Sequence, residues 1–486
     1  MPQTTQQTVA RNTIVLLAAQ VVTRLGGFIT AVLLTNYLDV DRFGQYNFLL
    51  AFATLFTPLS DLGIDVFIVR ELSIDPDRRG IVAGTALSIK SGLTIASIVL
   101  ISGSFYIIYG SSSLIPLIVA AAAVVSVRNA TGTFSGLFRA NQQLTLDSVI
   151  QISAKLFDLA AVLIALSLNA DVFALFQILL GSAVVQLGYT FHLAHRHSYL
   201  ASLSISYRYM ISLLKGGLPF VLTSISVMIY FHIDAVMLST LVGEHETGIY
   251  RSATNIVFSL NAFSAAVVIA LFPMIAKIFS KNRPEAVFLA SNAMFYSLLL
   301  AFPIAVGTTV LADPLIHFLY KDSFAAASSS LRILIWWIPV SFATNIYGHI
   351  LGAIGLQRKV LLITVLNALF NVAANLYFIP KLGAVGASIT TVATEVFGLF
   401  FLTIIVTRHF GFVYQIVRLL KVICASLILI PLMALPQSVH IGISAGLGTA
   451  LYLTALFFLR AIGKEDLEQL RTILFSHRHQ TQTPDE

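Results

Sequence analysis

Asn12–Tyr37 reads NTIVLLAAQVVTRLGGFITAVLLTNY. The stretch is long and apolar enough to cross a bilayer, and yet Arg24 sits in its middle. A cation at the centre of a spanning helix costs about 2.5–3.5 kcal/mol on insertion scales. A lipid-facing position would carry that cost without return, so Arg24 belongs on a bundle interior or a wet cavity. The rest of the chain is then read as the walls of that cavity.

The composition agrees. Of 486 residues, 57% are hydrophobic and 10% charged, with a mean hydropathy of +0.88. Soluble domains carry roughly 25% charged residues, so no sizeable soluble domain fits. At about 20 apolar residues per helix the chain holds roughly 14 spans. The apolar runs are continuous rather than alternating, which argues against a β-barrel. The fold class expected is therefore an all-α, polytopic membrane protein. Spans are expected near 12–36, 44–69, 81–109, 114–138, 144–168 and 171–194, then 214–241, 247–276, 285–311, 325–352, 359–380 and 383–407, then 413–435 and 440–460. The corresponding divisions are 1–196, a connector 197–213, 214–408, a last helix pair 409–460, and a polar tail 461–486.

The net charge of +7 does not signal nucleic acid here, because its distribution follows the membrane. With the N-terminus inside, about twenty Lys and Arg residues fall in inner loops and tail, among them Arg70, Arg78, Arg79, Arg139, Lys277 and Arg408. Outer loops keep only Arg42, Lys321 and Lys381. Both termini are expected on the cytoplasmic side, with no cleaved leader. The sole cysteine, Cys424, excludes an intramolecular disulfide. In the tail, Leu467, Leu470 and Leu474 share one helical face, as in a short surface helix, with a solvated tail as the alternative, while His477 and His479 are read as disordered rather than metal-binding.

An internal repeat divides the chain. Ile29–Tyr46 (ITAVLLTNYLDVDRFGQY) answers Ile233–Tyr250 (IDAVMLSTLVGEHETGIY), so Gly44-x-Tyr46 matches Gly248-x-Tyr250. Leu156–Ala161 (LFDLAA) echoes Leu369–Ala374 (LFNVAA). About six spans separate the copies, so both point the same way across the membrane. Parallel repeats of this kind place substrate at their interface.

The cations inside expected spans are Arg24, Lys90, Arg128, Lys155, Arg251 and Arg332. Arg24, Arg128, Lys155, Lys90 and Arg251 are the substrate-binding candidates. A positive lining attracts an anion, and an Arg fork bonds two phosphate oxygens at once. The bland alternative is local pairing: Lys155 and Asp158 lie three apart on one helix face, and Arg251 and Arg332 can snorkel outward. Asp234, Glu395 and Asp158 are the candidates for coupling to H⁺ or Na⁺; their alternative is a static pair with a cation. Several Asn residues in later spans, including Asn255, Asn261, Asn345 and Asn367, could meet sugar hydroxyls or simply join helices. Pro219, Pro273, Pro303 and Pro339 are expected to kink their helices. No phosphate-binding Gly-Lys loop, H-E-x-x-H or nucleophile elbow occurs, so nothing reads as an enzyme, and no cofactor is called for.

Phe43–Leu72 (FGQYNFLLAFATLFTPLSDLGIDVFIVREL) and Ile233–Asn255 (IDAVMLSTLVGEHETGIYRSATN), with the span order, resemble polysaccharide and oligosaccharide-lipid flippases. These belong to the multidrug/oligosaccharidyl-lipid/polysaccharide exporter superfamily. The resemblance implies a MATE-like fold, two six-helix lobes in a V with two trailing helices. It implies movement of a polyprenyl-diphosphate-linked glycan, such as an O-antigen or exopolysaccharide unit, to the outer leaflet of the cell (inner) membrane. Membrane lipid, glycosyltransferases and a glycan polymerase are the partners it implies, with no nucleic acid. A basic residue of the first helix lines the cavity in relatives, and Arg24 stands at that position. The alternatives are a cation-coupled multidrug exporter of the same superfamily, which would favour acidic cavity groups, and a membrane glycan polymerase or ligase, which would need a larger outer loop.

Overall fold

A computed structural model describes residues 3–110, 113–197, 199–200, 203–261, 278–279, 281–431 and 441–461. Every regular element among them is helical. The first half runs α1 (Gln3–Tyr37), α2 (Val40–Leu55), α3 (Thr57–Asp61), α4 (Ile64–Ile74), α5 (Arg79–Tyr109), α6 (Ile115–Ala130), α7 (Gly132–Ala140), α8 (Leu144–Ser167) and α9 (Val172–Arg196). The second runs α10 (Tyr207–Leu241), α11 (Glu244–Leu260), α12 (Arg283–Val310), α13 (Ala312–Leu319), α14 (Ala327–Leu334), α15 (Trp337–Ala353) and α16 (Gln357–His409), followed by α17 (Ile416–Leu427) and α18 (Ile441–Phe458).

Ten helices among the described residues are long and apolar enough to cross a membrane. The physical reasons for the shortfall from fourteen are local. The span expected at 44–69 is three short helices: Pro58 opens α3 without an N–H to give, and Leu62 (φ 50°) and Gly63 (φ 72°) turn left-handed between α3 and α4. The long α16 holds two expected spans, divided at Gly383 (φ 55°) just after Pro380. The side chain of Glu246 accepts from the Ala384 amide at 2.7 Å and so caps the second segment. The expected spans 247–276 and 413–435 lie partly outside the described residues, as do Pro273, Lys277 and the tail with Leu467, His477 and His479. Pro303 lies inside α12, whereas Pro339 falls in the first turn of α15, where no intrahelical bond is lost.

Local sequence sets the helix starts. Asp39 accepts from the Arg42 amide to cap α2, and Asp171 does the same for α9 through Ala174, each at 2.8 Å. The two copies of the repeated stretch meet: α2 packs along α11 so closely that a Cβ on Gly44 would collide with the Glu244 carbonyl, and one on Gly248 with the Val40 carbonyl. Towards the other end, Gly63 of the α3–α4 turn is in the same relation to Gly217 of α10. The halves therefore touch near both ends of the broken second span, and space opens between these contacts. The connector is pinned to the start of α5: the Ser204 amide donates to the Gly80 carbonyl and the Ser206 amide to Thr85 Oγ1, each at 3.2 Å.

Candidate functional site

Two cavities lie where the halves meet. The first, of about 350 Å³, is lined by Thr23, Arg24 and Phe28 of α1, Lys155 of α8, and Asn255, Phe258 and Ser259 of α11. Arg24 is exposed to it and has no hydrogen-bond or ion-pair partner among the described residues. The second, of about 390 Å³, is lined by Thr54 and Thr57, by Arg128 and Asn129 of α6, and by His232 of α10 and Arg251 of α11. Among the described residues no carboxylate lines either cavity.

A single carboxylate stands between them. Asp158 accepts from Arg128 Nη2 at 2.6 Å and lies 3.5 Å from Lys155 Nζ, with the Ser182 hydroxyl at 3.4 Å. Arg128 belongs to one cavity and Lys155 to the other, so Asp158 is the shared counter-ion of both. That occupation differs from the ion-coupling role expected of it. Two cations on one carboxylate leave net positive charge, and Arg24 adds to it. Arg251 directs its Nε to Asn47 Oδ1 at 3.3 Å, a neutral hydrogen-bond partner. Buried Nδ1 of His232 and Nδ2 of Asn129, both on the second cavity's lining, have no hydrogen-bond partner among the described residues.

Lys90 stands apart, paired locally as the alternative reading expected. It is 2% exposed, bonds Asp61, and lies 3.3 Å from both Asp65 oxygens. Thr133 Oγ1 donates to the same Asp65 carboxylate at 3.1 Å. The break in the second span brings both carboxylates to this lysine, and the cluster lines neither cationic cavity. Its parts hold α3, α4, α5 and α7 together. Arg332 likewise pairs with Asp313 at the start of α13.

Asp234 and Glu395 of the second half make no ion pair among the described residues. Asp234 is 3% exposed and accepts from Tyr250 Oη (2.6 Å), Asn375 Nδ2 (2.6 Å) and Thr391 Oγ1 (3.0 Å). Asn371 Oδ1 is bonded by the same Asn375 amide, while the buried Asn375 Oδ1 has no partner among the described residues. Glu395 is 7% exposed and accepts from Tyr230, Thr344 and, at 3.2 Å, Trp337 Nε1. It faces a third cavity of about 450 Å³ within the second half. The static cation pair considered for both is absent among the described residues; neutral donors take its place. Sequence reading missed His232 and the aromatic donors Tyr230, Trp337 and Tyr250. The tyrosine of the Gly-x-Tyr repeat was the signal available for Tyr250, but nothing in the sequence pointed its hydroxyl at Asp234.

Comparison with known proteins places this arrangement. The family model described as "Polysaccharide biosynthesis protein" matches residues 9–279, more than half the chain, and the MatE model matches residues 219–377. The lipid II flippase MurJ of Bacillus subtilis is 24% identical over 159 residues, covering 32% of this chain and 29% of that protein. The uncharacterized membrane protein MJ1068 of Methanocaldococcus jannaschii is 29% identical over 167 residues, covering 34% and 33%. The chain thus matches about a third of the length of these relatives. Among solved structures, lipid II flippase MurJ in its inward closed conformation has a TM-score of 0.74 at 15% identity, covering 92% of this chain and 99% of that one. An inward-facing multidrug resistance MATE transporter has a TM-score of 0.63 at 16% identity, covering 82% and 98%. These likenesses show the fold, and the relatives with stated activities are transporters and flippases rather than enzymes. With more than half its length matched, this multi-pass membrane protein belongs to the polysaccharide biosynthesis protein family.

Proposed function

We propose that the chain is a flippase that carries a polyprenyl-diphosphate-linked oligosaccharide from the cytoplasmic to the outer leaflet for cell-surface polysaccharide synthesis. The observation that carries this reading is the Arg24–Lys155 cavity. It joins an unpartnered guanidinium from the first half to amide and hydroxyl groups of the second, with no carboxylate on its lining among the described residues. Leaving such a charge without a counter-ion is costly unless the site serves an anion. A diphosphate matches the two-pronged Arg fork, and Lys155 adds a point charge. The second cavity, with Arg128 and Arg251, offers a further anion station on the same interface. Polar sugars would be sheltered between the halves while the prenyl chain stays in lipid.

The contacts at Gly44–Gly248 and Gly63–Gly217 stand at opposite ends of this interface. Parting one while keeping the other would open the cavities to one side at a time. Direction would come from an ion taken up at Asp234, where Thr391, Tyr250, Asn371 and Asn375 add neutral oxygens. The orphaned Asn375 Oδ1 beside the carboxylate fits a hard cation, and the carboxylate alone fits a proton. Such an ion supplies only a change of charge; these residues hold it and transmit that change to α10, α11 and α16. Both termini would be cytoplasmic, and glycosyltransferases and a polymerase would act before and after the step.

The multidrug-exporter reading has one observation in its favour, Glu395, which makes no ion pair among the described residues and lies in an aromatic-walled cavity. Replacing Arg24 with Ala decides between them. The flippase reading expects lipid-linked glycan export to be lost while membrane insertion and protein level stay unchanged. Normal glycan export in the R24A variant would refute it.

A further inference from the structure

The cavity that Glu395 faces lies within the second half, lined by residues of α10, α15 and α16. At about 450 Å³ it lies within the usual range for ligand pockets, about 300–1,000 Å³. We propose that it is a carbohydrate subsite, which receives the uncharged, hydroxyl-rich sugars of the cargo while the diphosphate rests on Arg24 and Lys155. This inference rests on the flippase reading above and names which part of the cargo goes where.

The lining has the chemistry of hydroxyl recognition. Asn261 and Asn367 contribute planar amides, each able to donate and accept, and Ser341, Thr344 and Thr364 add hydroxyls. Asn367 Oδ1 is buried and has no hydrogen-bond partner among the described residues, an acceptor left for a ligand donor. Glu395 is fixed from three sides by Tyr230, Thr344 and Trp337, and a carboxylate offers about four lone-pair directions. One direction therefore remains for a sugar hydroxyl. Trp337 Nε1 also donates to Tyr230 Oη at 2.8 Å, which locks both rings at the cavity edge. Such flat aromatic surfaces pack against the C–H faces of sugar rings and present a polar tip beside them.

Position supports the same assignment. Phe258 lines the Arg24–Lys155 cavity. Its ring centroid is 5.0 Å from that of Trp337 and 5.7 Å from that of Phe231, both of which line the carbohydrate cavity. One aromatic ring therefore separates the cationic site from the amide-rich one. A ligand whose phosphates adjoin its first sugars can reach both across that ring. The lining also argues against an ammonium ligand: its polar groups are mainly neutral amides and hydroxyls, and Glu395 already takes three hydrogen bonds.

The two tryptophans of the chain, Trp336 and Trp337, make the test direct. In a Trp336→Phe background, Trp337 is the sole indole and reports on the cavity. The full chain in nanodiscs is titrated with undecaprenyl diphosphate and with the same lipid carrying a disaccharide that begins with N-acetylhexosamine. The glycosylated lipid is expected to move Trp337 emission and to bind about tenfold tighter, as befits a few added hydrogen bonds. Asn367→Leu and Thr344→Val are each expected to shrink that advantage while leaving the affinity for the sugar-free lipid unchanged, which also shows that the variants fold. Equal affinities with a silent Trp337 would overturn the subsite and leave the flippase reading standing. Tetramethylammonium that moves Trp337 emission and is lost in Glu395→Gln would overturn it in favour of a cation site. Binding of neither lipid would bring down the flippase reading itself, and the subsite with it.

Discussion

The two halves of this chain place intramembrane charge in opposite ways. In the first half, Arg24, Arg128 and Lys155 face cavities at the junction of the halves, and only Asp158 answers any of them. In the second, Asp234 and Glu395 are buried and held by hydroxyl, amide and indole donors, without an ion pair among the described residues. Lys90 supplies the control. It too is an intramembrane cation, but two carboxylates enclose it and it lines no cationic cavity. The charge of a residue in a span is therefore a poor guide to its role. What separates a site from a strut is whether the fold has already provided the counter-charge.

That contrast can be broken at several points. Lys90→Met should have the largest effect on the fold, because it leaves Asp61 and Asp65 side by side without compensation. Breaking a buried pair costs about 3–5 kcal/mol, so little folded protein should be recovered, and Asp61→Asn in the same chain should restore part of it. If the variant folded normally but exported nothing, Lys90 would have to be moved to the site. Asp234→Asn should act on coupling instead: ion stimulation of transport should vanish, while affinity for the sugar-free lipid is retained. Unchanged ion dependence in a transport assay would remove Asp234 from that role. The smallest effect, and of opposite sign, is expected of Asp158→Asn. Without the shared counter-ion, inorganic pyrophosphate should bind several-fold tighter, in keeping with about 1 kcal/mol for a partly exposed pair. Weaker binding in calorimetry would mean that Asp158 orients the cations rather than competing for them.

The fold class was legible because hydropathy and loop charge report it directly. Arg24 stood out by position alone, since a lone Arg amid apolar residues carries its meaning in one dimension. The second span was misread as continuous: its hydropathy runs on through Pro58 and Gly63, but backbone chemistry breaks it there. Lys90 could not be separated from Arg24 for the same kind of reason. Its two partners lie 25 and 29 residues away, and only the broken span folds them onto it. Asp234 was visible as a buried carboxylate, but its donors come from α11 and α16, up to 157 residues distant. The Lys155–Asp158 contact was readable from helical spacing, whereas the addition of Arg128, 30 residues away, was not.

The central claim is that Arg24 and Lys155 form a site for a diphosphate anion at the junction of the two halves. Its most direct measure is equilibrium binding of undecaprenyl diphosphate to the purified chain in nanodiscs, compared between the unmodified protein and Arg24→Ala. Loss of a charge-assisted pair worth about 1.5–3 kcal/mol predicts an affinity about 10–100-fold weaker, with Arg24→Lys falling between. Equal affinity in all three, with the protein folded, would contradict it.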